Sequence, residues 1–235
     1  MSSVWAVVPA AGSGRRMAAE VPKQYLKLNG VPILEHTLRA LLACPDIRGV
    51  VVVLDPSDRR ADAIPSLADP RVSTASGGDE RADSVLSGLR AIAAEAGEQD
   101  WVLVHDAARP CISVAVLHSL ITSCVSEGVG TVMAQASVDT LKRVSDDNRV
   151  VETLDRKVIW RAQTPQIFKL AELTSALSSA LANDTAITDE SMAMELAGYP
   201  VSILEGPSTN IKITVPADLE IAEIILRRLS EESKA

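Results

Sequence analysis

The sequence predicts an α/β fold in which helices flank a mostly parallel, doubly wound sheet. Short unbroken apolar runs, typical of strands buried on both faces, alternate along the chain with segments of helical periodicity. The apolar share of 47% over 235 residues suffices for a large core. Aromatic residues make up only 3%, so that core must consist mainly of Ala, Val, Leu and Ile.

The first part of the chain alternates regularly between the two kinds of element. The unbroken apolar run VWAVVP predicts a first strand at residues 4–9, and the run GVVVVL predicts a second at 49–54. Leucines at helical spacing predict a helix at 33–44 between them. The remaining predicted elements are strands at 71–75, 101–105 and 130–136 and helices at 80–93 and 114–125.

The pattern changes after residue 136. Residues 140–156 (TLKRVSDDNRVVETLDR) hold two short β-prone runs around a polar turn, which predicts a hairpin with charges on both faces. Isolated hairpins are marginal in water. We therefore expect an inserted arm at 137–157 that projects and pairs with a second copy of the chain, giving a homodimer.

Helical pattern resumes at 170–182 and 189–197, followed by a strand at 200–205 and a last helix with Pro216 in its first turn. No repeat or linker divides the chain, so residues 1–235 are predicted to form a single domain that carries the arm.

Charge and cysteine usage exclude several classes of function. The formal net charge of −8 offers no general attraction to nucleic acid or to an anionic membrane. No run reaches the roughly 18 apolar residues of a membrane span, and no secretory leader pattern is present. Cys44, Cys111 and Cys124 are odd in number and widely spaced, which argues against a disulfide framework or a zinc site. These features favour a cytoplasmic protein.

The loop after the first strand (VPAAGSGRRMAAEVPKQY, residues 8–25) has the composition of an anion cradle. Small residues and glycines leave backbone amides open to phosphate oxygens, and three cations follow closely. The small residues are Ala10, Ala11, Gly12 and Gly14, and the cations are Arg15, Arg16 and Lys23.

Other interpretations of this loop fit less well. A dinucleotide-binding fingerprint would need a third glycine where Met17 stands, although Asp55 after the second strand could serve as its ribose ligand. A Walker-type loop would need Gly-Lys-Ser/Thr, which is absent. A solvated basic loop would not need the glycines and prolines that frame the cations.

Three further stretches hold candidate site residues. Asp106 and Arg109 follow the predicted strand at 101–105, and ligands bind at the carboxyl ends of such strands. In GGDERADS (77–84) the glycines allow close backbone approach, although Asp79 could simply cap the next helix. Lys212 lies in the apolar stretch NIKIT, where its ammonium must reach water or an anion.

The chain resembles the 2-C-methyl-D-erythritol 4-phosphate cytidylyltransferase family. PAAGSGRRM with PKQY carries the likeness, and GGDERADSV, VHDAARP, ITDESMAMELAG and NIKIT match in the same order. The resemblance implies a Rossmann-like fold and attack of the methylerythritol phosphate on the α-phosphorus of CTP, with pyrophosphate leaving. It also implies Mg²⁺ on the triphosphate.

The resemblance implies specific roles for the residues at matching positions. Arg16, Lys23 and Lys212 would stabilise the transition state. Asp106 would bind substrate or the metal, and Arg109 would bind substrate. The nucleotide would be bound by Ala10, Ala11, Gly12, Gly14, Arg15, Gly78, Asp79, Ser84 and Ala107. The polyol phosphate would also be bound by Thr140, Arg156, Thr164 and Thr188, with the arm completing the partner's pocket.

Several alternatives remain open from the residues. A cytidylyltransferase for another polyol phosphate, such as ribitol 5-phosphate, would share the nucleotide loop. A sugar-1-phosphate nucleotidyltransferase is less favoured, because such enzymes usually have a loop resembling G-G-x-G-T-R. A regulatory module that binds nucleotides without catalysis would not need cations gathered around an α-phosphate.

Overall fold

The computed structural model describes residues 2–12, 21–97 and 99–232. Its strands are β1 Val4–Pro9, β2 Lys27–Leu28, β3 Val31–Pro32, β4 Ile47–Leu54, β5 Val72–Ser76, β6 Trp101–Val104, β7 Gly130–Ala136, β8 Lys142–Val144, β9 Val150–Thr153, β10 Trp160–Lys169 and β11 Val201–Glu205. Its α-helices are α1 Ile33–Ala43, α2 Arg81–Ala93, α3 Val114–Glu127, α4 Leu170–Ala182, α5 Glu190–Leu196 and α6 Ala217–Glu232.

Seven strands form the central sheet in the order β11-β7-β10-β6-β1-β4-β5. The pairs β1–β4, β1–β6, β4–β5 and β7–β11 are parallel. The first strand explains why the sheet is covered on both faces, because its alternate residues enter two different cores. Ala6 and Val8 pack with α1 and α3, and Trp5 and Val7 pack with α2, α4 and α5. The predicted α/β architecture is confirmed.

The long strand β10 was not among the predicted elements. It lies between β6 and β7 and runs antiparallel to both. Its first seven residues read WRAQTPQ, which has neither the apolar run of a buried strand nor regular alternation. Its register against β7 shifts between Ala162 and Gln166. The strand is thus defined by its two neighbours rather than by local pattern.

Helix α2 begins with a capping box. Glu80 is the N-cap, its side chain accepts from the backbone of Asp83, and the Asp83 carboxylate accepts from the amide of Glu80. The alternative in which Asp79 caps this helix is therefore wrong. The side chain of Asp79 is exposed and available for another role.

The predicted hairpin is confirmed as a separate two-stranded sheet of β8 and β9. All residues of both strands are exposed. The expectation of charges on both faces is incomplete, because the arm also exposes valines by more than half of their surface. These are Val138, Val144, Val150 and Val151, and Val158 directly after the arm is exposed in the same way. Two such strands alone cannot bury this apolar surface.

Among the described residues, no helix combines the length and the apolar character that a membrane crossing requires.

Candidate active site

A cavity of about 700 Å³ opens beyond the carboxyl ends of β1, β4, β5 and β6. This is the edge at which open α/β sheets bind ligands. The predicted residues that line it are Ala10, Ala11, Gly12, Lys23, Gly78, Asp79, Ser84, Asp106, Ala107 and Lys212. Residues from both ends of the sequence therefore meet in one place.

The loop after β1 is anchored at its start. The Ala10 amide donates to the Val53 carbonyl (2.8 Å), and the Gln24 side-chain amide donates to the Ala10 carbonyl (2.8 Å). These bonds hold the backbone of Ala10 and Ala11 at the cavity wall. The predicted site residues Gly14, Arg15 and Arg16 lie outside the described residues.

Two lysines lie on the same side of the cavity. Lys23 is in a short 3-10 helix, and its ammonium is 3.4 Å from the carbonyl of Ile213. Lys212 comes from the segment that precedes α6 and is next to Ile213 in sequence. Their proximity gives this wall the concentrated positive charge that an anionic ligand needs in an acidic protein.

The glycine turn at residues 77–78 leaves little room for side chains. A Cβ added to Gly77 would collide with Ala11, and one added to Gly78 would collide with Asp83. The Gly78 amide donates to the Ser84 hydroxyl (3.2 Å), so Ser84 fixes the glycine turn. Close approach by backbone and by the exposed Asp79 suits recognition of a flat polar group such as a base.

Asp106 lies at the floor of the cavity among three cations. Its Oδ2 is 2.7 Å from Lys212 Nζ and 3.9 Å from Arg109 Nε, and its Oδ1 is 3.0 Å from Arg81 Nη2. Burial alone would raise the pKa of Asp106, but Arg81 and Lys212 hold that pKa well below its usual value. The ammonium of Lys212 therefore has the anion that its apolar sequence context requires.

Arg81 and Glu190 form an ion pair that was not predicted from the sequence, in which Glu190 is buried and Arg81 is partly exposed. Arg81 Nη1 is 2.6 Å from Glu190 Oε1, and Arg81 also lines the cavity. Burial would lower the pKa of Arg81, but Glu190 and Asp106 together raise it above its ordinary value. Both residues lie within the motifs GGDERADS and ITDES, but charge pairing across this sequence distance has no local signal.

Thr164 and Arg109 support Asp106 from beneath rather than line the cavity. The Asp106 amide donates to the Thr164 hydroxyl (2.9 Å), which in turn is 3.1 Å from His105 Nδ1. His105 Nε2 donates to the Arg109 carbonyl (3.0 Å), and in the neutral ring Nδ1 then accepts from the Thr164 hydroxyl. Burial lowers the pKa of His105 to about 4, in agreement with this tautomer.

The structure does not bring Thr140, Arg156 or Thr188 into the lining of this cavity. Thr140 and Arg156 lie at the base of the hairpin arm and are exposed, and Arg156 Nη1 donates to the Val138 carbonyl (2.6 Å). Thr188 is exposed before α5 and its hydroxyl contacts the Met192 sulfur (3.5 Å). A single chain thus brings the described residues predicted to bind nucleotide to one cavity, but not these three.

The sequence matches one known protein family along most of its length. The family model described as IspD, 2-C-methyl-D-erythritol 4-phosphate cytidylyltransferase, matches residues 4–228. The chain belongs to this family. A cytidylyltransferase of that name from Pseudomonas fluorescens (strain SBW25) is 49% identical over 221 residues, which cover 94% of both proteins. One from Ectopseudomonas mendocina (strain ymp) is 51% identical over 216 residues, or 92% of each.

Solved structures of this cytidylyltransferase family have the same fold. The enzyme from Francisella tularensis is 35% identical, with a TM-score of 0.81 over 95% of this chain and all of its own. The enzyme from Thermus thermophilus is 30% identical, with a TM-score of 0.78 over 96% of this chain and 99% of its own. The family resemblance and the cytidylyltransferase assignment are confirmed.

The donor set of the site limits how a metal could be held. Within the ranges 2–12, 21–97 and 99–232, no group of three or more His, Cys, Asp or Glu side chains could hold a metal ion. Asp106 has cationic partners on both carboxylate oxygens. These residues suit a hard cation that takes most of its ligands from phosphate oxygens and water, with at most one protein carboxylate.

Proposed function

We propose that this chain transfers the cytidylyl group of CTP to 2-C-methyl-D-erythritol 4-phosphate, giving 4-CDP-2-C-methyl-D-erythritol and pyrophosphate. The observation that carries the proposal is the cavity beyond β1, β4, β5 and β6, which is lined by Lys23, Lys212, the glycine turn at Gly78 and the Asp106 carboxylate that pairs with Lys212. These are the cationic side chains, the open backbone and the carboxylate that nucleotidyl transfer requires.

The reaction needs positioning and charge stabilisation more than proton transfer. A substrate phosphate oxygen forms a bond to the α-phosphorus, and the bond from that phosphorus to the bridging oxygen breaks as pyrophosphate leaves. The attacking phosphate is already an oxyanion, so no general base is required. Lys23 and Lys212 supply positive charge where it is needed, and we assign the same role to Arg16.

The nucleotide is proposed to lie along the loop and the glycine turn. The amides of Ala10, Ala11 and Gly12 face the triphosphate, with Gly14 and Arg15 continuing that contact. Gly78, Asp79 and Ser84 face the cytosine and ribose, and Ala107 lies beside the nucleoside. The support is the position of the described members of this set on the cavity wall and the small side chains there.

A Mg²⁺ ion is proposed to accompany the triphosphate of CTP at this site. It would neutralise charge on the phosphates and polarise the α-phosphorus. Asp106 is the carboxylate placed to contribute a ligand, directly or through water, while it continues to orient Lys212 (2.7 Å).

The polyol phosphate is proposed to bind between two chains. Asp106, Arg109, Thr164 and Thr188 would belong to one subunit, and Thr140 and Arg156 would come from the arm of the other. The exposed valines of the arm support a homodimer through this element. The whole chain, 1–235, acts as one nucleotidyltransferase domain, and its free buried cysteines suit a reducing cytoplasm.

The experiment is a substrate panel in which pyrophosphate release is measured. Release should require CTP, Mg²⁺ and 2-C-methyl-D-erythritol 4-phosphate together, and UTP should not replace CTP. Equal turnover of ribitol 5-phosphate would favour the other polyol phosphate. Tight CTP binding without release with any polyol phosphate would favour a regulatory module and overturn the proposal.

A further inference from the structure

Glu190 is a buried acid beside the cavity that the proposed mechanism does not use. It is the first residue of α5, and only 1% of its surface is exposed. Its carboxylate faces Arg81, which is the first residue of α2. A charge in such a place is costly unless it is paired, so the pair needs a structural or functional reason.

The guanidinium of Arg81 joins two carboxylates through one rigid plane. Nη1 and Nη2 donate to the two oxygens of Glu190 at 2.6 and 3.1 Å. Nε donates to Asp106 Oδ1 at 3.1 Å, and Nη2 lies 3.0 Å from the same oxygen. Because the fork is planar and its donors are fixed, the position of Glu190 sets the position of Asp106.

The other oxygen of Asp106 extends this chain of alternating charges to the catalytic lysine. Asp106 Oδ2 is 2.7 Å from Lys212 Nζ. Glu190, Arg81, Asp106 and Lys212 therefore form a continuous series of ion pairs from the start of α5 to the cavity.

The start of α5 is itself fixed to the sheet. The Gln166 side chain on β10 donates to Asp189 Oδ2 (2.9 Å) and accepts from the Ser191 amide (2.9 Å). Glu190 lies between these two contacts. The backbone on both sides of Glu190 is therefore fixed, so its carboxylate can orient the Arg81 guanidinium.

We propose that Glu190 is a positioning residue that acts through Arg81 to hold Asp106, and with it the Lys212 ammonium, in the geometry needed for nucleotidyl transfer. This inference rests on the proposed function. Glu190 does not line the cavity, so its proposed role is to position the charges of Arg81, Asp106 and Lys212 rather than to contact substrate.

Removal of the Glu190 charge would leave Arg81 with one anion instead of two. Arg81 lines the cavity, so its guanidinium would be drawn toward a bound triphosphate and away from Asp106. An added contact to the phosphates binds ground state and transition state alike, whereas a displaced Lys212 weakens the transition state alone. The turnover number should then fall while nucleotide affinity is kept.

The test is steady-state kinetics of Glu190→Gln with CTP and 2-C-methyl-D-erythritol 4-phosphate. We expect kcat to fall about tenfold or more, with KM for CTP changed less than about threefold. The matched control is Glu35→Gln. Glu35 is 2% exposed and is likewise held by one arginine, Arg39 (2.7 Å), and by the Ser66 amide (3.0 Å), outside the cavity lining. That variant should lower the melting temperature and keep kcat.

A double-mutant cycle separates positioning from general damage. Glu190→Gln should cost about tenfold in kcat in the wild-type background and less than about threefold in the Arg81→Gln background, because it acts through Arg81. An equal loss in both backgrounds, or a kcat unchanged from wild type, would overturn the proposal.

A crystal structure of Glu190→Gln tests the proposal without an activity assay and without an Arg81 variant. The distance from Lys212 Nζ to Asp106 Oδ2 should lengthen beyond about 3.5 Å, the limit of a hydrogen bond. A distance that stays at 2.7 Å would overturn the proposal. If the wild-type protein releases no pyrophosphate, the proposed function fails, and this distance still decides the positioning inference.

Discussion

The cavity and the hairpin arm differ in how far one chain completes their interactions. At the cavity floor, Asp106 and Arg81 have opposite charges as partners, and His105 and Thr164 have hydrogen-bond partners within the same chain. On the arm, the valines are exposed and the ion pairs, such as Arg143–Glu152, lie in solvent. Buried, paired charges fix a geometry, whereas exposed pairs contribute little.

This difference fits the separate roles that we propose for the cavity and for the hairpin arm. In the proposed function, one chain preorganises the nucleotide side of the site, because the groups there are already held by the fold. The proposed polyol side, to which we assign Thr140 and Arg156, would depend on an arm whose valines one chain leaves exposed. Changes in the cavity should therefore act on chemistry and folding, and changes in the arm should act on assembly and substrate affinity.

The largest effect is expected for Lys23→Ala. If Lys23 lies beside the α-phosphate as proposed, its loss should lower kcat by about 10²- to 10³-fold, while the affinity for CTP changes much less. Measurement of kcat by pyrophosphate release and of CTP affinity by calorimetry checks this. The exposed lysine Lys27 on β2 provides the matched control, and Lys27→Ala should keep the wild-type rate. A normal rate in Lys23→Ala would remove this residue from the mechanism.

The next effect concerns acid stability at the cavity floor. Burial lowers the pKa of His105 from 6.5 to about 4, so the unfolded chain binds a proton first as the pH falls. The contribution of His105 to the free energy of unfolding is fully present above pH 6.5. Roughly 3 kcal/mol of it should be lost between pH 6.5 and 4. Asp106, whose folded pKa is lowered, adds its own loss only below its unfolded value of 3.8.

Urea unfolding of the wild type and of His105→Gln at pH 7, 5.5 and 4 measures this loss. The variant should start less stable and then decline less steeply over this range. Parallel curves for the two proteins would show that His105 is not the group responsible.

A smaller effect is expected for Val150→Asp on the arm. A charge placed in the predicted interface between subunits should weaken the dimer and raise KM for the polyol phosphate about tenfold, with CTP affinity kept. Light scattering after gel filtration reports the mass. Val125→Asp on α3 is the control, since Val125 is 43% exposed and lies away from the arm. An unchanged mass and KM for Val150→Asp would argue against the role of the arm.

Much of the fold was predictable because its signals are local. The apolar runs of β1, β4 and β6 and the helical spacing of leucines in α1 identify their elements without reference to neighbours. Strand β10 was missed because its first seven residues, WRAQTPQ, become a strand only between β6 and β7. Long-range pairing of this kind leaves no pattern in the strand itself.

The candidate site shows the same limit. The residues that line the cavity lie in recognisable motifs, and most were predicted together. The ion pair of Arg81 with Glu190 joins positions 109 residues apart, and nothing near either residue indicates the other. Likewise, nothing near Thr164 in the sequence indicates that its hydroxyl accepts from the Asp106 amide (2.9 Å), 58 residues away.

The most direct test of the division between cavity and arm is complementation between two defective variants. Lys23→Ala and Arg156→Ala are unfolded together, refolded as a mixture and assayed at low polyol phosphate concentration. If the arm serves the partner's site, every mixed dimer has one site without either substitution. The mixture should then recover about a quarter of the wild-type kcat/KM, since about half of the dimers are mixed. Activity no higher than the mean of the two variants refolded separately would contradict the account.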